Sequence, residues 1–280
     1  MKINAETKPL SQNWPYPTLF AHRGGGVLAP ENTLAAMQRG NAEGYGAVEF
    51  DVKLSADNIA FLLHDDSVDR TTNGRGLAAQ FPMTELEKLD AGSWYHAKHG
   101  GRATDSSANY RGETIPRFSA VAHYLHSVGM IANVEIKPCP GRDIETGKLV
   151  TELCVELWRD RLVKPLTTSF SVDALRAARL AAADAPMGLL VETPTEAQLT
   201  LLQSLQCVSL HCHHASLTAA LVQFFHEHGV RVLTYTVNDV ERAAELMAMG
   251  IDGIFTDNLA VMAKRFPAQL QDGGRSMRQS

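Results

Sequence analysis

Residues 48–64 read VEFDVKLSADNIAFLLH, and the pattern of this stretch decides how the rest of the chain is arranged. Two apolar-rich runs, 48–53 and 59–63, are separated only by residues 54–58. A parallel crossover needs a dozen or more residues, so the two runs are expected to form an antiparallel hairpin. Asp57 and Asn58 suit its turn, because asparagine tolerates left-handed backbone. Pairing Lys53 with Ile59 and counting back sets Asp51 opposite Phe61 and brings His64 beside Val48 and Glu49. Side chains alternate along a strand, so Glu49 and Asp51 point to the same face.

On both sides of the hairpin, short apolar runs alternate with segments of helical period. Strands are expected at 19–21, 132–136, 166–169, 187–191, 207–210, 230–237 and 253–255. Val150, Leu153, Cys154, Leu157 and Trp158 form one helix stripe, and shorter stripes include Leu34/Met37, Val172/Leu175, Leu199/Leu202 and Val240/Ala244/Met247. Gly44, Gly229 and Gly250 fall where helical patterns end, as helix-terminating glycines do. Repeated alternation implies parallel strands with helical crossovers. Nine candidate strands exceed a (β/α)₈ barrel by one, and the second run of the hairpin is the surplus. A TIM barrel is therefore the expected fold, and 280 residues suit it.

Residues 67–112 break the alternation and are rich in Gly, Asn, Thr, Ser and Arg, with a short helical piece near 84–89. The expectation is a single domain over 14–266 with this insertion capping the barrel and Trp94 and Tyr95 as wall residues. Residues 1–13 read as an N-terminal arm and 267–280 as a polar, disordered tail.

Ionisable residues cluster at the expected strand ends. The first run finishes in His22-Arg23-Gly24-Gly25-Gly26, the second holds Glu49 and Asp51, the third ends in His64, and the fourth holds Glu135 and Lys137. Interior positions of barrel strands are normally apolar, and charge there costs several kcal/mol unless it is paired or metal-bound. In this architecture catalytic groups sit at the C-terminal strand ends. Three converging carboxylates repel one another, and a hard divalent cation with oxygen ligands removes that conflict. Arg23 and Lys137 suit an anionic substrate such as a phosphate. His211, His213 and His214 follow a strand and could face the same mouth. Their H-x-H spacing suits zinc, but no third ligand of clear spacing lies nearby.

The net charge of −5 and the absence of a long Lys/Arg run argue against a nucleic-acid partner. No stretch approaches the roughly 18 apolar residues of a membrane span. The first residues lack the apolar core of a signal peptide. The four cysteines form no C-x-x-C pair. A cytoplasmic protein is expected.

Taken together, AHRGGGVLAPENTLAA, VEFDVKLSADNIAFLLHDDSVDRTTNG, DAGSWY, NVEIKP, TSFS, YTVN and GIFTD closely resemble the glycerophosphodiester phosphodiesterases, above all their cytoplasmic bacterial members. The likeness runs from about Trp14 to Asp257. It implies hydrolysis of glycerophosphodiesters, the deacylated phospholipids, to sn-glycerol 3-phosphate and an alcohol. By resemblance, His22 and His64 match a general acid/base pair, and Glu49, Asp51 and Glu135 match ligands of one divalent ion, Mg²⁺ or Ca²⁺, with Mn²⁺ a third choice. Arg23 and Lys137 match phosphate-holding positions. The implied path runs through attack by the neighbouring glycerol hydroxyl and a cyclic phosphate. His211 and Tyr235, which stands where many relatives carry Trp, are further candidate substrate contacts. The rival reading is a lyase or phospholipase D-like activity on lipid phosphodiesters in the same barrel.

Overall fold

The computed structural model describes residues 14–95 and 109–271. Its strands are β1 (Leu19–Ala21), β2 (Ala47–Leu54), β3 (Ala60–Leu62), β4 (Ile131–Ile136), β5 (Leu166–Ser169), β6 (Met187–Val191), β7 (Ser209–His213), β8 (Arg231–Tyr235) and β9 (Gly253–Thr256). β2 and β4 to β9 pair in parallel in that order, and β1 closes the ring by pairing in parallel with both β9 and β2. Among the described strands only β3 is antiparallel, hung on the edge of β2, so eight parallel strands make a TIM barrel.

The described helices are α1 (Leu34–Ala42), α2 (Met83–Leu86), α3 (Phe118–Val128), α4 (Asp143–Leu157), α5 (Val172–Ala181), α6 (Gln198–Leu205), α7 (Ala219–Glu227), α8 (Val240–Ala248) and α9 (Leu259–Arg265). Their starts are local. Thr33 Oγ1 accepts from Ala36 N at 3.1 Å ahead of α1, and the Asp239 carboxylate accepts from Arg242 N at 2.7 Å ahead of α8. Gly44, Gly229 and Gly250 all adopt positive φ just past helices, as their spacing predicted. Leu19 and Ala21 of β1 belong to the outer core against the helices, whereas Phe20 between them joins Ala47, Leu166, Leu233 and Phe255 in a separate buried cluster. That alternation fills the barrel interior with apolar side chains on the face that also carries Glu49 and Asp51.

The hairpin forms, but in a different register from the expected one. Lys53 lies opposite Phe61, not Ile59, and Leu54 opposite Ala60. Residues 55–59 make a wider connection, in which Ser55 N donates to Ile59 O at 3.0 Å and Asn58 takes φ 62°. A slip of two leaves every side chain on its predicted face; a slip of one would have reversed them. Lys53 is thereby fully buried, with its ammonium donating to Asp66 at 2.9 Å.

Three further expectations are corrected. The seventh strand runs from Ser209 to His213 rather than over 207–210, so His211 sits inside it. The sequence reading passed over α3, which follows the insertion and buries Phe118, Val121, Ala122 and Leu125. Residues 267–271 are not a loose tail: Pro267–Leu270 forms a 3₁₀ turn, Leu270 is buried, and its carbonyl accepts from Gly46 N at 2.9 Å. The insertion has its own small core of Phe61, Leu63, Val68, Ala78, Met83, Leu86, Ala91 and Ile115, built on the outer edge of β3. The arm over 1–13, most of the polar stretch at 97–110, and 272–280 lie outside the described residues.

Candidate functional site

The site begins where β1 stops. His22 N donates to Thr256 O at 3.0 Å, which ties the His22–Arg23 turn to the end of β9. Gly26 is required there, since φ is +52° and a Cβ would lie 2.2 Å from the Asp257 carbonyl oxygen. This tight approach brings Asp257 to His22, whose Nδ1 lies 2.6 Å from Asp257 Oδ1.

The floor comes from the register of two adjacent strands. β2 and β4 pair so that Asp51 faces Glu135 and Glu49 faces Asn133. Ligand atoms of Glu49, Asp51 and Glu135 all lie within 4.8 Å of one another. The three are 5%, 1% and 8% exposed, so water does little to screen their repulsion. Protein groups compensate in part. Asn32 Nδ2 donates to Asp51 Oδ2 at 2.8 Å, Lys137 Nζ to Glu135 Oε1 at 2.7 Å, and Arg23 N to Glu49 Oε2 at 3.0 Å. Lys137 Nζ and Arg23 Nε also stand 3.6 and 3.7 Å from Asp51 oxygens.

The charges settle unevenly. Burial, and then the Asp51 carboxylate, push Glu49 up to about 7 and Glu135 up to about 8. Asp51 goes the other way: burial opposes its ionisation, but the Arg23 and Lys137 cations hold it well below the usual carboxylate range. Three oxygen donors with more negative charge than two cations can balance suit a hard divalent ion. Arg23 Nε is itself buried without a hydrogen-bond acceptor. The residues present therefore fit the metal their sequence pattern suggested.

One consequence is measurable on the metal-free protein. Glu49 and Glu135 hold their protons more tightly folded than at their ordinary value of 4.5. Such a group contributes stability that is present below the unfolded value and lost as pH rises through the folded one. Calorimetry in EDTA should therefore show Tm falling from about pH 4.5 to pH 8 and levelling off above it, and excess Mg²⁺ or Ca²⁺ should flatten the slope. Parallel Tm curves with and without the ion would count against a carboxylate metal site.

Two histidines flank the floor. His64 Nδ1 lies 2.8 Å from Asp65 Oδ1, as His22 Nδ1 lies against Asp257, so each ring is anchored through Nδ1 and keeps Nε2 free of that anchor. Their basicities diverge. Burial alone would lower His22, but the Asp257 hydrogen bond and the Glu49 charge raise it above the ordinary value. His64 is lowered by burial, with Arg23 and Lys137 adding to the effect against the pull of Asp51.

His22, Arg23, Glu49, His64, Glu135, Lys137, His211 and Tyr235 border one cavity of about 510 Å³, and Asp51 lies buried within 4.8 Å of the Glu49 and Glu135 oxygens. His211 differs from expectation: it is fully buried within β7, bonded to Ser209 Oγ at 2.9 Å and stacked on Phe255. Burial pushes its pKa down to about 3, so it meets the cavity as a neutral ring within the strand rather than as a group beyond the strand end. His213 does line the cavity. Tyr235 is a wall, its hydroxyl donating to Val191 O at 2.8 Å and its ring edge-on to Phe170. Trp94 and Tyr95 border a neighbouring cavity of about 320 Å³ that also touches His22 and Arg23.

Asp257 was given no role from sequence, although the rule applied to the other strand ends, an ionisable group just past an apolar run, covers it. Asn32 had no comparable signal. Its side chain contacts Asp51 only because residue 32 takes a left-handed φ of 59°.

A profile of the glycerophosphoryl diester phosphodiesterase family matches residues 22–261. The chain is 30% identical over 244 residues to a glycerophosphodiester phosphodiesterase of Caldanaerobacter subterraneus subsp. tengcongensis, covering 86% of this chain and 93% of that one. A Bacillus subtilis glycerophosphodiester phosphodiesterase is 26% identical, with 85% and 82% covered. Among solved structures, an Oleispira antarctica phosphodiesterase in complex with the product sn-glycerol 3-phosphate superposes with a TM-score of 0.80 at 33% identity, covering 90% of this chain and 97% of that one.

Proposed function

The chain belongs to the glycerophosphoryl diester phosphodiesterase family, and from that membership we propose how its site divides the work of cleaving a phosphodiester. It is a hydrolase of glycerophosphodiesters, giving sn-glycerol 3-phosphate and an alcohol. The observation that most supports our division of roles is the pair of carboxylate-anchored histidines on either side of three buried carboxylates.

Glu49, Asp51 and Glu135 would hold one divalent cation, Mg²⁺, Ca²⁺ or Mn²⁺. Bound there, such an ion would polarise the phosphoryl oxygens and offset the charge that develops on them. Arg23 and Lys137 add cationic donors at the same cavity and orient the phosphate. The Asp257 carboxylate, 2.6 Å from Nδ1, favours the protonated form of His22, so it enters the reaction as the acid. His64 stands beside two cations and shares its single anchoring carboxylate, so it enters neutral, as the base.

In the first step His64 takes the proton of the glycerol 2-hydroxyl as that oxygen attacks phosphorus. The bond to the head-group oxygen breaks, and His22 delivers its proton to the departing alcohol. A cyclic glycerol phosphate remains. In the second step His22, now neutral, accepts a proton from water as the water oxygen attacks phosphorus; the bond from phosphorus to the 2-oxygen breaks, His64 returns its proton to that oxygen, and both histidines recover their starting states. Tyr235 and Phe170 wall the cavity against bulk water. A cytoplasmic setting is part of the same proposal, supported by four buried, unpaired cysteines. No helix among the described residues is long and apolar enough to cross a membrane.

A coupled glycerol 3-phosphate assay tests this reading. Glycerophosphocholine and glycerophosphoethanolamine should both yield glycerol 3-phosphate, the signal should vanish in EDTA, and one of Mg²⁺, Ca²⁺ or Mn²⁺ should restore it. Turnover indifferent to chelation would remove the metal from the scheme. Accumulation of a cyclic phosphate from intact lipids, without glycerol 3-phosphate, would favour the lyase reading.

A further inference from the structure

Arg70 lies in the inserted stretch beyond His64, and the roles assigned above leave it without one. Its guanidinium makes two forked pairs at once. Nε and Nη2 donate to Asp65 Oδ2 and Oδ1 at 2.6 and 2.9 Å, and Nη1 and Nη2 donate to Glu31 Oε2 and Oε1 at 2.7 and 2.8 Å. Each carboxylate has a second duty. Asp65 Oδ1 lies 2.8 Å from His64 Nδ1, and Glu31 Oε1 accepts from Arg23 Nη1 at 2.7 Å. One guanidinium therefore joins the anchor of a proton carrier to the anchor of a phosphate holder, across 39 residues of chain.

We propose that Arg70 is a positioning residue that fixes His64 and Arg23 relative to each other, so that proton transfer and phosphate binding both depend on this one side chain of the insertion. The proposal rests on the roles given above to His64 and Arg23. The His64 side chain is 31% exposed and its ring is hydrogen-bonded through Nδ1 to Asp65, so its orientation depends on where Asp65 is held. Unrestrained, Asp65 can turn into solvent and take the imidazole with it. Glu31, left with Arg23 alone, loses the second cation that keeps its carboxylate in one plane. The planar fork matters as much as the charge. Lysine carries the same charge at a single point and cannot present two parallel donors to each of two carboxylates. Arg70 is 37% exposed and its ion pairs are partly screened by solvent, so its loss should cost catalysis more than folding.

Steady-state kinetics on glycerophosphocholine at saturating divalent ion provide the test, using Arg70→Lys, Asp65→Asn and Glu31→Gln. Asp65→Asn should lower kcat with little change in KM, Glu31→Gln should chiefly raise KM, and Arg70→Lys should do both, with kcat/KM down about 10–100-fold. The kcat of Arg70→Lys/Asp65→Asn should be no lower than that of the weaker single variant, because both changes release the same ring. Tm should stay within about 3 °C of the parent, and the affinity for the divalent ion, read by titration calorimetry, should be unchanged. Arg70→Lys with at least half the parental activity would overturn the inference, as would multiplicative losses in the double variant. A fall in ion affinity in step with activity would overturn it too, since that would mean general loosening. His64→Ala, assayed in parallel, separates the two levels of the argument. If it is inactive while Arg70→Lys is fully active, the inference about Arg70 fails alone; if it is active, the reading of His64 fails first.

Discussion

Glutamine in place of Glu135 should lower kcat/KM by about 10²–10³-fold and, in the chelated protein above neutral pH, raise Tm. The opposed signs have one cause. Glu135 is buried beside Asp51 and keeps its proton up to about 8, so above that pH the metal-free fold must bear an ionised carboxylate that it disfavours. Glutamine has the same shape, carries no charge and can still accept the 2.7 Å hydrogen bond from Lys137. What it cannot supply is the third negative donor for a cation. Steady-state kinetics at several ion concentrations should show the requirement for the ion shifted upward as well as the rate lowered. Activity within threefold of the parent would mean that Glu135 serves only to pair with Lys137.

Alanine at His64 or His22 should each cost about 10²–10⁴-fold in kcat, and a change of leaving group should tell the two apart. A p-nitrophenyl phosphodiester of glycerol departs without help from an acid. His22→Ala should recover much of its loss in the p-nitrophenolate released during the first turnover, because His22 is assigned to protonate the alcohol in that step. His64→Ala should not, because the attacking hydroxyl still needs a base. The reverse pattern would exchange the two assignments while leaving the site intact. The physical basis for the order is the surroundings of each ring. His22 lies 2.6 Å from Asp257 and 3.8 Å from Glu49, whereas Arg23 and Lys137 oppose a proton on His64.

Much of this was legible in the residues. Glu49-Phe50-Asp51 and Glu135-Ile136-Lys137 share their faces because strand alternation is a property of the backbone, and the structure keeps those faces. The hairpin was legible because residues 54–58 are too few for a crossover. Its register was not, because the turn type depends on the Ser55–Ile59 hydrogen bonds, which sequence does not display. His211 was misplaced because the strand ends three residues later than expected, at His213 rather than at 210, which moved it from a presumed place past the strand to a buried stack on Phe255. His226 and His228, on which no sequence pattern bears, are engaged by Asp252 and the Phe224 carbonyl.

The sequence by itself determined the alternation of strands and helices, the surplus strand, and the set of ionisable residues at the strand ends, because each depends on neighbours a few positions away. Only the tertiary structure decided which of those residues meet. The closure of β9 onto β1 joins His22 to Asp257 across 235 residues. The pairing of β2 with β4 sets Asp51 against Glu135, and the folding back of the insertion sets Arg70 between Asp65 and Glu31. Those meetings depend on the register and closure of the whole barrel, which no local pattern encodes, and they decide where charge is balanced and where it is left for a cation to complete.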